Sequence, residues 1–144
     1  MLPESIELIV VTPERQLLRE TVVEVTFPGL DGEIGVLPGH APLITELGFG
    51  ELKYKSTNAG QGQTTSLAIM SGFAEVLPDR VTVLAETAER AEEIDLARAE
   101  RALERATERL ATPKPEIDWV RAEIAMQRAL IRIQLAKKYR GVPA

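Results

Sequence analysis

Four arginines carry the clearest chemical signal in the chain. Arg98 and Arg105 are seven residues apart, and Arg128 and Arg132 are four apart, so each pair falls on one face of a helix. The planar guanidinium fork matches phosphate or carboxylate oxygens. If the two helices fold back on one another, both pairs converge on one polyanion. The plainer reading is that they are solvated arginines on helices already rich in Glu–Arg pairs, and spacing alone favours it.

The remaining candidates do less. His40 is the only histidine and there is no cysteine, which excludes His-rich and thiolate metal sites, disulfides and cysteine nucleophiles. His40 lies between Pro38 and Pro42, where a packed or capping ring is the first reading and a partner contact the second. A Ser–His–Asp triad built from Ser71, His40 and Asp79 has no nucleophile-elbow sequence behind it. The glycines between 29 and 39 lack the Gly-Lys-Ser/Thr of a phosphate loop and lead into more extended chain. Asp31 and Glu33 form a close acidic pair. They read first as solvated carboxylates, and second as a contact for a partner's cation.

Composition narrows the class. The chain has 144 residues, 44% hydrophobic and 27% charged, enough for one domain with an appendage and a real core. Aromatics are only 4%, so Val, Ile, Leu and Ala must build that core. A net charge of −5 argues against a nucleic-acid partner, because phosphate backbones need a cationic face. No apolar run approaches the ~20 residues of a membrane span. The N-terminal MLPESIELIVV has no basic stretch before its apolar run, so no signal peptide is expected.

The elements that position these residues change character along the chain. Ser5–Thr12, Thr21–Phe27, Glu51–Lys55 and Arg80–Thr87 alternate with period two, placing Ile6, Leu8 and Val10, then Val23, Val25 and Phe27, on core faces. Leu52, Tyr54, Val81, Val83 and Ala85 continue the pattern. Turns are expected at Thr12-Pro13-Glu14, Asn58–Gly62 and Pro78-Asp79-Arg80. Gly29–Leu47 reads as a shaped surface loop with short strands in it. This pattern suggests an antiparallel β-sandwich of roughly eight to ten strands.

After Ala88 the period becomes helical, with the boundary near Thr87–Glu93. Ile94–Leu110 consists of strong helix formers, with Asp95 as N-cap and a stripe of Ala99, Ala102, Leu103, Ala106 and Leu110. Thr112–Pro115 stops it. A second helix runs from near Glu116 to about Tyr139, with Ile117, Val120, Ile124, Ile131 and Leu135 as its stripe and Ala122, Ala125 and Ala129 as flanks. Gly141 and Pro143 end it, and the pair forms an antiparallel hairpin. Alanine-rich stripes bury little area, so the hairpin is expected to be weakly held and able to open. No internal repeat is read in the chain. The domains are taken as 1–88 for the sandwich and 89–144 for the hairpin.

The stretch Gly-Glu-Ile-Gly-Val-Leu-Pro-Gly-His-Ala-Pro-Leu, residues 32–43, resembles the signature of the epsilon subunit of F-type, proton-translocating ATP synthases. Ser71–Asp95 and the Ile-Asp-x-x-Arg-Ala motif at 94–99 resemble that family as well, in the same order. The resemblance implies a rotor subunit, not catalytic by itself, whose sandwich joins the gamma subunit of the central stalk to the ring of c subunits. Glu33 and His40 would face those partners. The hairpin would regulate ATP hydrolysis, reaching the alpha/beta catalytic head when extended. No cofactor is required, but a regulatory ATP that is not hydrolysed would meet Glu89, Ile94, Asp95, Arg98, Ala99, Arg105, Arg128 and Arg132. The implied location is the cytoplasmic face of a bacterial inner membrane, through the complex. Two rivals are a free-standing ATP-sensing module with no rotor and a small hydrolase on a β-sandwich.

Overall fold

The computed structural model describes residues 2–58, 63–112, 114 and 118–141. The chain divides into two compact units, Met1–Glu89 and Arg90–Ala144.

The N-terminal unit holds six strands: β1 (Ile6–Val11), β2 (Gln16–Gly29), β3 (Gly32–Val36), β4 (Leu43–Ser56), β5 (Thr65–Leu77) and β6 (Arg80–Arg90). Their order is β1-β6-β5-β4-β2-β3, and β1 also pairs with β2. Five strands therefore close into a ring, while β3 is held on β2 alone as an edge. The β1–β6 pair is parallel. The β1–β2, β2–β3, β2–β4 and β4–β5 pairs run antiparallel, for example Val25↔Val36 between β2 and β3 and Leu52↔Leu67 between β4 and β5. Ile6, Leu8, Val10, Val25, Phe27, Leu52, Val81 and Val83 are fully buried at the centre.

The strands are fewer and longer than the roughly eight to ten expected from the pattern. Bulges explain the difference, because an extra residue breaks the alternation without ending the strand. The β2–β4 register shifts between Val22 and Glu24. That shift turns Val23 outward, 40% exposed, and buries Val22 in its place, which corrects the expected core face. In β5, Leu67, Ala68, Ile69 and Met70 are all buried, so there is no alternation to mark the strand.

Further along β5, Ser71 (φ 65°) and Gly72 (φ 122°) bend the chain. A Cβ on Gly72 would stand 2.1 Å from the Leu84 carbonyl oxygen, so the bend requires glycine. The turn at Thr12–Arg15 forms as expected, with the Thr12 amide donating to the Arg15 carbonyl at 2.9 Å. Pro78 and Asp79 turn between β5 and β6. Most of the expected Asn58–Gly62 turn lies outside the described residues.

In the C-terminal unit a short 3-10 turn, Ala91–Glu93, leads to α1 (Leu96–Ala111) and α2 (Trp119–Arg140). Asp95 caps α1 by accepting from the Arg98 amide at 3.0 Å, and Asp118 caps α2 from the Arg121 amide at 3.1 Å. The helices pack on one another.

Along α1, Ala99 and Ala106 are buried, and Ala102, Leu103 and Leu110 are half-buried. The stripe expected on α2 is corrected in part: Leu135 is buried as expected, while Ile124 and Ile131 are half-buried. Val120 is 64% exposed, and Ile117 lies outside the described residues. Ala122, Ala129 and Ala136, at seven-residue spacing, are buried together with Ile133 and Leu135. Small side chains let helix axes approach closely, so the alanines take the packed line that a search for large apolar residues overlooks. Gly141, in the left-handed region, ends α2, and Pro143 lies outside the described residues.

Candidate functional site

The residues around the start of α1 are held by local structure. Ile94 is 2% exposed, and its amide donates to the Ala91 carbonyl at 3.3 Å. The Ile94 carbonyl accepts a 3.0 Å hydrogen bond from Arg140 at the end of α2. Asp95 is engaged as the N-cap, and Ala99 is 3% exposed. Ile94 and Ala99 therefore offer a ligand almost no side-chain surface. Glu89 stands half-buried near the end of strand β6, within the N-terminal unit.

The four arginines differ in setting. Arg98 and Arg105 are exposed on α1, while Arg128 and Arg132 are half-buried on α2. The Arg140–Ile94 bond ties the end of one helix to the start of the other, so the pair is antiparallel. With a rise of about 1.5 Å per residue from that anchor, Arg128 comes to roughly the level of Arg105, and Arg132 to within about one turn of Arg98. The Nε of Arg128 is buried and makes no hydrogen bond among the described residues. A phosphate or carboxylate oxygen would satisfy it, and an ATP phosphate fits that requirement.

Arg105 also lines a shallow depression of about 260 Å3 with Glu108, Arg109, Thr112 and Lys114. Three cations and one carboxylate meet there. The sequence reading gave Arg109 and Lys114 no role, although the spacing Arg105–Arg109 is the same four-residue step as Arg128–Arg132.

A second omission was equally open to sequence. Residues 94–100 read Ile-Asp-Leu-Ala-Arg-Ala-Glu, and residues 117–123 read Ile-Asp-Trp-Val-Arg-Ala-Glu. This corrects the reading that the chain holds no repeat. Both copies start a helix the same way: aspartate capping the arginine amide, and the following alanine buried at 3% exposure. The shared part of the motif is thus a device for starting a helix. Only the first copy has the half-buried arginines at nearby levels of the facing helix.

In the N-terminal unit, Glu33 and His40 occupy different surroundings. Glu33 is exposed on edge strand β3 and pairs with Lys53 at 3.2 Å. It lines a groove of about 440 Å3 with residues 29–34 and 44–46. Leu30 is 62% exposed and Ile44 74% exposed there, with Asp31, Glu33 and Glu46 also lining the groove. His40 is not part of that lining. Its Nδ1 lies 2.7 Å from the Ala41 carbonyl and its amide donates to Leu37 at 3.1 Å, which fixes the loop between β3 and β4. Leu37 beside it is 61% exposed. Leu30 was missed because a single apolar residue in a turn carries no period, and Ile44 because it sits at the exposed start of β4.

Ser71 is a bend residue within β5, and Asp79 is a turn residue whose carbonyl accepts from the Glu7 amide at 2.9 Å. Among the described residues no three His, Cys, Asp or Glu side chains cluster to hold a metal. Among the described residues no helix is long and apolar enough to cross a membrane.

Comparison with known proteins agrees across both units, from residue 5 to residue 137. The beta-sandwich domain of the ATP synthase Delta/Epsilon chain matches residues 5–91, and its long alpha-helix domain matches residues 92–137. The ATP synthase epsilon chain of Koribacter versatilis is 50% identical over 112 residues, 78% of this chain and 76% of the relative. That of Syntrophobacter fumaroxidans is 49% identical over 136 residues, 94% of this chain and 98% of the relative. Among solved structures, a chain in the OSCP/F1/c-ring assembly of the Euglena gracilis mitochondrial ATP synthase superposes with a TM-score of 0.81 at 28% identity. That match covers 94% of this chain and 83% of that one. A chain of the Tetrahymena thermophila mitochondrial central stalk and c-ring shares the fold, at a TM-score of 0.58 and 15% identity. With both domains matched in order and near-full-length relatives at half identity, the chain belongs to the ATP synthase delta/epsilon family, as an epsilon chain.

Proposed function

We propose that the chain works as a non-catalytic rotor subunit of a proton-translocating ATP synthase. The observation that carries this reading is the likeness, over 94% of the chain, to a subunit of an assembly that contains F1 and a c-ring. The sandwich joins the gamma subunit of the central stalk to the c-ring, so that torque driven by proton flow reaches the catalytic head. The Glu33 groove, with exposed Leu30 and Ile44, and the His40 loop, with exposed Leu37, supply the contacts: an apolar floor for burial and carboxylates for a cationic partner. The complex holds the chain at the cytoplasmic face of a bacterial membrane.

The hairpin is the regulatory part. Folded, it permits ATP hydrolysis. Extended, its basic second helix reaches the alpha/beta head and blocks reverse rotation. ATP binds the folded hairpin without being hydrolysed, its phosphates held by Arg98, Arg105, Arg128 and Arg132, with Ile94, Asp95 and Ala99 fixing the start of α1 beside them. It favours the folded form only to the extent that it binds that form more tightly. The orphaned Nε of Arg128 supports the phosphate assignment.

Affinity purification of the tagged chain from its own cells tests the rotor reading. Recovery of a gamma-like subunit and a c-ring is expected. Recovery of the chain alone, still binding ATP, would instead establish the free-standing sensing module.

A further inference from the structure

The last residue of α2 reaches back to the beginning of the C-terminal unit. The Nη2 of Arg140 donates a 3.0 Å hydrogen bond, partly buried, to the carbonyl of Ile94, 46 residues earlier. Ile94 joins the 3-10 turn to α1, with its side chain buried and its amide bonded to Ala91. The next residue, Asp95, caps α1. One side chain thus ties the end of α2 to the segment that sets where α1 starts.

Arg140 is available for this because the end of α2 is closed without it. The Gly141 amide, on a left-handed residue with φ 71°, turns back to the carbonyls of Lys137 and Lys138. Lys137 and Lys138 already place positive charge in the last turn, where the helix dipole favours it. The match to the family's helical domain ends at residue 137, before Arg140. The donor of the tether therefore lies beyond the matched portion, while its acceptor, Ile94, lies within it.

We propose that Arg140 is a positioning residue that couples the nucleotide site to closure of the hairpin. The proposal rests on the ATP reading above. Ile94, Asp95 and Arg98 belong to that site, and Arg140 holds the segment that carries them. When α2 swings away from α1, Arg140 leaves Ile94 and the start of α1 loses its tether. A ligand at the start of α1 and the tether from the end of α2 favour the same closed form, so each strengthens the other.

Hydrogen–deuterium exchange on the full chain tests this, comparing the native protein, Arg140→Ala and Arg140→Lys, each with and without ATP. Exchange in the β-strands reports that the variants are folded. Without ATP, Arg140→Ala is expected to speed exchange of the Arg98 and Ala99 amides, both bonded to Asp95, roughly two- to tenfold, the range that one net hydrogen bond is worth. Arg140→Lys keeps the charge, loses the fork and recovers part of the protection. Unchanged rates at both amides in Arg140→Ala overturn the tether.

With ATP, the native chain gains protection in the last turn of α2. Arg140→Ala keeps the ATP effect at Arg98 and loses it in that last turn. Equal ATP protection of the last turn in both proteins overturns the coupling. ATP that changes exchange nowhere in the native chain removes the nucleotide reading, and the coupling with it, while the ligand-free rates still decide whether Arg140 tethers Ile94.

Discussion

Arg128 buries its Nε without a hydrogen-bond partner among the described residues, a state that costs on the order of 1–3 kcal/mol or more for a charged group. An anion that supplies the missing acceptor recovers that cost on binding. Arg128→Ala is therefore expected to weaken ATP binding by roughly ten- to a hundredfold, the worth of one or two charge-assisted hydrogen bonds. Titration calorimetry on both proteins reads this directly, and equal affinities would return Arg128 to a packing role. Gly72 makes a sharper demand of another kind. Adding one methyl group there meets the Leu84 backbone oxygen at 2.1 Å, and φ stays at 122°. Gly72→Ala is expected to cost at least about 3 kcal/mol, as backbone strain and overpacking together. A fall in the urea midpoint of the N-terminal unit measures it. No pattern in the sequence announced this bend, because the reason for the glycine is a carbonyl on a neighbouring strand.

The two capped helix starts make a matched pair. Asp95→Ala and Asp118→Ala each remove one side-chain acceptor from the shared Ile-Asp-x-x-Arg-Ala-Glu motif, so each is expected to destabilise its helix by about 1 kcal/mol. Thermal melts followed at the helical dichroism band compare them. Only Asp95→Ala is expected also to weaken ATP binding; a loss of the same size in Asp118→Ala would place the effect in helix stability alone. How far the elements were legible follows from the same local physics. Asp95 was readable as a cap, Gly141 as a terminator, and the alternating faces of β1 and β6 as core, because each depends on neighbours in sequence. The outward turn of Val23 depends on a shift against β4, and the continuous run Leu67–Met70 has no period to read. Ala122 and Ala129 were read only as flanks of a stripe in which Leu135 is buried as expected but Val120 is exposed. The four arginines were found by spacing. Their unequal burial depends on packing that spacing does not encode.

The division at Glu89 and Arg90 leaves each unit with its own buried residues: a ring of strands on one side, a capped helix pair on the other. The strand unit closes on itself through β1, whose partners β2 and β6 both lie within or start in that unit. Deleting residues 90–144 is expected to leave a soluble, cooperatively folding sandwich, checked by denaturant unfolding with a single transition. In the assembled enzyme the same deletion is expected to preserve attachment to the stalk and raise ATP hydrolysis. Unchanged hydrolysis would remove the inhibitory role of the hairpin and leave the rotor role in place.

The double pairing of β1 has a mechanical side. A strand at the free edge of a sheet peels away one hydrogen bond at a time under load. β1 is bonded along one edge to β2, Ile6↔Val22 through Val11↔Gln16, and along the other to β6, Glu7↔Arg80 through Val11↔Leu84. A pull along its axis loads both ladders at once, in shear, and no bond yields much before its neighbours. A coupling that carries twist between a shaft and a wheel needs that stiffness. The closed ring supplies it through backbone ladders around a buried apolar core, in a chain with no cysteine to cross-link it.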